Sequence, residues 1–93
     1  MIRLNFAEDD FEKLKTLVIE SPKEAIVSIK EQIAKSLNKQ FYSKAYFLLS
    51  LSYKSLNNPK EELKSLHNAV ETAINLEDRI RSLLRRGSYY NDY

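Results

Sequence analysis

Ninety-three residues with a formal net charge of +2 are enough for one domain with a modest core. The absence of cysteine excludes a disulfide frame, a thiolate nucleophile and a zinc–thiolate site. One glycine and two prolines are too few for the turns of a hairpin-rich fold.

The charge is too small to imply nucleic acid by itself, but it is uneven. Residues 1–37 carry six basic against seven acidic side chains, residues 38–93 nine against six, and four of the five arginines lie between Arg79 and Arg86. The first ten residues, MIRLNFAEDD, turn acidic at once and hold no apolar signal core. The longest apolar runs, such as Tyr46–Leu49, fall far short of a membrane span. A soluble cytoplasmic chain with no membrane partner is expected.

In chain order, Met1–Phe6 reads as an ordered arm, because a lone strand would lack a partner. Asn5 and Glu8 have capping-box spacing, and Glu8, Asp9 and Asp10 favour the positive end of a helix dipole. Phe11, Leu14, Val18 and Ile19 then predict a first helix over about 7–19. Ser21-Pro22-Lys23-Glu24 supplies cap, first-position proline and third-position acid for a second helix over about 22–36, with Ala25, Ile26, Ile29, Ile33 and Leu37 as its stripe. Asn38 marks the break before a third helix over about 40–56. That helix is apolar round most of its circumference and so belongs at the centre. Asn57 ends it; Asn58 caps the fourth helix, with Pro59 first and Glu61 third. Leu63, Leu66, Ala69, Val70, Ala73 and Ile74 give the fourth helix one apolar face. Asn75 caps a fifth over about 77–86, with Ile80, Leu83 and Leu84 on one side, Arg79, Arg81, Arg85 and Arg86 elsewhere, Gly87 as its stop, and 87–93 as a mobile tail.

A shift of 37 residues superposes the two proline breaks: Pro22-Lys23-Glu24 falls on Pro59-Lys60-Glu61, Ile29 on Leu66, Ile33 on Val70, Phe11 on Leu48 and Ile19 on Leu56. A period of this size built from helix, turn and helix marks a stacked helical array. Tyr46, Leu49, Ser50, Tyr53 and Leu56, followed by Pro59, Leu66 and Ala69, resemble the tetratricopeptide repeat family. Ala25 matches the family's small residue early in the second helix, whereas Glu62 replaces it in the second copy and Thr16 stands where the second copy has Tyr53. The resemblance covers about residues 8–76 and implies two antiparallel helix-turn-helix repeats, about 7–37 and 40–75, followed by a short capping helix. It also implies a protein-binding scaffold whose first helices line a groove, here Tyr42, Tyr46, Leu49 and Tyr53 with Lys39 and Lys54 beside them.

The bland reading of that tyrosine stripe is core packing with each hydroxyl reaching water; a peptide-binding groove is the other. His67 has no second histidine or cysteine and reads as structural. The pairs Asp9/Asp10 and Glu61/Glu62 read as dipole partners at helix starts, since adjacent helical residues do not face each other. Arg79, Arg81, Arg85 and Arg86 ahead of Tyr89 and Tyr90 read as a solvated face, or as a contact to nucleic acid or an acidic partner. No phosphate loop, zinc-protease motif, nucleophile elbow or acid/base pair is present. The expectation is an all-α, non-catalytic adaptor without cofactor or metal. It would bind another protein or peptide, self-associating or sitting in a larger assembly, with nucleic-acid association through 79–93 as the alternative.

Overall fold

The chain is all-α. A computed structural model describes residues 8–35 and 39–92 as five helices: α1 (Glu8–Glu20), α2 (Pro22–Lys35), α3 (Lys39–Ser55), α4 (Pro59–Glu71) and α5 (Leu76–Asp92), with no strand among them. The arm at Met1–Phe6, the Asn5 cap and the break at Asn38 lie outside the described residues.

Each visible junction has a local cause. Ser21 alone separates α1 from α2; its amide still donates to the Leu17 carbonyl (2.7 Å), and its hydroxyl bonds the Glu24 carboxylate at 3.2 Å. At the next proline break Asn57 takes φ = 57°, the left-handed conformation that asparagine tolerates better than most residues. The Asn58 amide then reaches the Tyr53 carbonyl (2.9 Å) and the Asn57 amide the Lys54 carbonyl (3.0 Å). This 6→1 and 5→2 pair is a Schellman motif. Asn58 turns to its second role as N-cap of α4, its side-chain oxygen accepting from the Glu61 amide at 3.4 Å. Asn75 caps α5 in the same way, accepting from the Asp78 amide at 2.8 Å.

Helix α3 occupies the centre. Its Phe41, Ala45, Leu48, Leu49 and Tyr53 join Leu14 and Val18 of α1 and Ala25 and Ile29 of α2 in one buried cluster. Three buried serines let neighbours approach α3 closely: Ser43 donates to the Ala69 carbonyl of α4 (2.7 Å), while Ser50 and Ser52 turn back onto carbonyls of their own helix. Because Ser43 starts α3 and Ala69 ends α4, these helices run antiparallel. Helix α1 touches α2 and α3, α3 also touches α4 and α5, and α4 touches α5; α2 and α4 do not meet among the described residues. One contact recurs along this stack. Lys44 of α3 lies over the Phe11 ring of α1 at 5.8 Å, and Arg81 of α5 lies over the Phe47 ring of α3 at 5.9 Å.

The fifth helix departs from expectation. It is neither short nor stopped at Gly87: it runs through Gly87 to Asp92, so residues 87–92 of the segment expected as a tail are helical. The cause is tertiary. Tyr89 is buried, and its hydroxyl donates to the Pro59 carbonyl at the start of α4 (3.1 Å). Packing of this kind overrides the cost of a mid-helix glycine, about 1 kcal/mol.

The Asn57 turn yields a direct test. Asn57→Gly is expected to keep or raise the melting temperature. Asn57→Val should cost about 1–2 kcal/mol, with a fall of roughly 4–8 °C per kcal/mol in a thermal melt followed by circular dichroism.

Candidate functional site

Three of the four residues of the tyrosine stripe line one cleft. Tyr46, Leu49 and Tyr53 form the α3 side of a cleft of about 260 Å³ whose walls come from α2 (Lys30, Ile33) and α4 (Lys64, Asn68). The walls are thus the second helix of each pair, whereas the resemblance implied a groove along the first helices. Leu49 and Tyr53 are buried in the core and Tyr46 is half-buried. Lys30 sits over the Tyr53 ring at 5.9 Å. Tyr42 lies outside the cleft, its ring 6.3 Å from that of Phe41, and Lys54 is half-buried in the last turn of α3. The Lys39 side chain lies outside the described residues. Leu49 and Tyr53 therefore both pack in the core and, with Tyr46, line the small cleft.

The arginine–tyrosine segment is divided between two jobs. Arg81 binds the buried Asp78 carboxylate at 2.7 Å and reaches Glu77 at 3.6 Å. Arg85 reaches the Glu62 carboxylate of α4 at 3.4 Å. Arg86 lies 3.2 Å from Nδ1 of His67, and Arg79 is exposed. Tyr89 is inside, edge-on to the exposed Tyr90 with centroids 5.4 Å apart. Of the six residues offered as a nucleic-acid or acidic-partner contact, only Arg79 and Tyr90 are fully on the surface; Arg86 is half-exposed.

Glu62 needs a reading different from its neighbour's. Glu61 lies in the first turn of α4 and lines the cleft, whereas Glu62 is 0% exposed. It occupies the position equivalent to Ala25 under the 37-residue shift. A buried carboxylate is costly unless paired and hydrogen-bonded. Arg85 of α5 provides one such pairing, so this carboxylate helps to draw α5 onto α4.

That draw fixes which way α5 faces. Asp78, Ser82, Arg85 and Tyr89 recur at i, i+4, i+7 and i+11 and turn toward the rest of the protein; Asp78, Ser82 and Tyr89 are buried. Leu76, Ile80, Leu83, Leu84 and Tyr90 occupy an arc of about 120° on the opposite side, and all five are exposed, Leu76 and Leu84 at 71%. The helix packs its polar face inward and presents its apolar face to solvent. The sequence grouped Ile80, Leu83 and Leu84 on one side, but gave no reason to place that side outward; the signal available was Asp78 and Arg85 at helical spacing opposite a buried Glu62.

No helix among the described residues is long and apolar enough to cross a membrane, and no group of three or more histidine, aspartate and glutamate side chains gathers where a metal ion could be held. Comparison of the chain with profiles of known protein families, with curated proteins and with solved structures finds no match.

Removing the buried carboxylate alone, Glu62→Ala, should loosen α5 from α4 and lower stability, by less than the ~3–5 kcal/mol of a fully buried pair because Arg85 keeps partial access to water. The double change Glu62→Leu with Arg85→Met should recover most of that loss. Urea unfolding of the three variants and the parent measures both terms.

Proposed function

We propose that the chain is a non-catalytic protein-interaction module that docks on a partner through the outer face of α5. One observation carries this reading: α5 is turned inside out relative to a surface helix. Burying a leucine contributes about 1.5–3 kcal/mol, so a helix that leaves Leu76, Ile80, Leu83 and Leu84 in water forgoes several such contributions. Contiguous apolar patches of a few hundred Å² on small proteins tend to be functional.

The repeat-like reading gains support from the way the helices contact one another and from the cation–aromatic contact that recurs along the stack. In that reading α5 opens a third unit. A terminal cap carries a polar outer face, whereas α5 carries an apolar one. The missing second helix of the third unit would come from the partner, whether in a homo-oligomer or in a larger assembly. The nucleic-acid alternative draws less support, because Arg81 and Arg85 are spent on carboxylates and Tyr89 is interior.

Leu84→Glu is expected to leave the thermal melt within about 0.5 kcal/mol of the parent, as exposed substitutions do. A photo-crosslinking residue in place of Leu84 is expected to give one discrete adduct in native extract, lost when Leu83→Glu is added. A crosslinker in place of exposed Lys60 on α4 should give none. Absence of an adduct at position 84, together with a monomer by light scattering, would sink the reading.

A further inference from the structure

Gly87 is the only glycine of the chain, and it sits inside α5 on the apolar stripe, between Leu83 and Tyr90. Its backbone is not in the left-handed region, so the conformation does not require glycine. A Cβ added there would meet nothing within 4 Å, so no neighbour in the chain requires it either. A glycine in mid-helix is disfavoured relative to alanine. What it does provide is a notch in an otherwise bulky stripe, at which a second helix can approach closely.

The edges of the stripe differ in charge. One edge carries Arg79 and Arg86. No ion pair joins Arg79 to a carboxylate among the described residues, and Arg86 rests on His67, which supplies no negative charge. The other edge carries Glu77, which already lies 3.6 Å from Arg81. The stripe is therefore apolar in the middle, notched at Gly87 and positive along one side.

Resting on the docking role of α5, we infer that the occupant of this face is an amphipathic α-helix of a different protein, with a bulky apolar residue seated at Gly87 and acidic residues along the edge that meets Arg79 and Arg86. Laying a helix against a helical face through anchors at i, i+4, i+7 and i+8 is a common recognition mode. A second copy of α5 fits less well. An antiparallel pair centred between Leu83 and Leu84 would match Ile80 to Gly87, but like edges meet in such a pair, so Arg79 of one copy would fall beside Arg86 of the other. Like charges juxtaposed across an interface are strongly unfavourable. A parallel pair would set Gly87 against Gly87 and lose the match in size. Helix α1 of another copy is acidic, but Leu14 and Val18 of its apolar face are already buried, which leaves Ile19 as its exposed large apolar side chain among the described residues.

The test uses the full chain and three synthetic 20-residue helical peptides sharing one leucine stripe, with Glu, Gln or Lys along one edge, read by fluorescence anisotropy. The Glu-edged peptide should bind at least about tenfold more tightly than the Lys-edged one at low salt, with the ratio shrinking as salt is raised. Arg79→Glu should reverse that order. Gly87→Ala should raise the melting temperature by about 4–8 °C. Gly87→Gln, also stabilising, should weaken the Glu-edged peptide about tenfold or more, so that stability and binding move in opposite directions. Equal affinity for the three peptides, binding indifferent to Gly87→Gln, or no binding at all overturns the inference. So does a concentration-dependent dimer that Leu83→Glu dissociates, which would name the second copy as occupant. Loss of binding in Leu84→Glu without any edge preference overturns the acidic-helix assignment while leaving α5 as the docking face.

Discussion

The contact between Glu62 and Arg85 joins α5 to α4 through a carboxylate that is fully buried. A carboxylate fully withdrawn from water needs pairing and hydrogen bonds, and one guanidinium that reaches it sits on the face of α5 that also carries Asp78, Ser82 and Tyr89. Once that face is drawn inward, geometry sends the leucines the other way. Buried ion pairs are weak sources of stability, because desolvation offsets most of the attraction. Here the pair favours one of two rotations of an amphipathic helix, at the expense of apolar burial that the opposite rotation would have gained.

The polar contacts around it act in the same sense. Tyr89 fastens the last turn of α5 to Pro59, and Arg81 spans Asp78 beneath it and the Phe47 ring of α3. These attachments tie α5 to both helices of the preceding pair. They also explain why most of the segment's arginines and one of its tyrosines are occupied within the molecule, and why the outer surface of α5 is left mainly to aliphatic side chains.

Much of the fold could be read from the residues. Asn57, Asn58 and Pro59 predict a left-handed stop, a cap and a first-position proline, and each takes that role because local hydrogen-bonding chemistry decides it. Asn75 does the same for α5, and the central placement of α3 follows from its breadth of apolar residues. Two features escaped. Gly87 read as a stop because the contact that carries the helix past it, Tyr89 on Pro59, joins residues distant in sequence. The facing of α5 escaped because a periodic pattern says which side chains share a face, not which face is inward. The usual assumption puts the apolar side inside, and contacts distant in sequence, to Glu62, Pro59 and Phe47, reverse it. A related limit holds for the stripe of Tyr42, Tyr46, Leu49 and Tyr53: periodicity identified it, but could not show that α2 and α4 would flank the cleft that Tyr46, Leu49 and Tyr53 line.

The contacts among the helices run along the chain like links, with α3 the most connected and nothing among the described residues tying α1 to α5. In such a ladder an excursion at one terminus forfeits only that terminal helix's own contacts. Amide protons should therefore be slowest to exchange in α3 and α4 and fade toward both ends. The segment that offers its leucines outward lies at one of those ends, where it can adjust its pose without disturbing the centre.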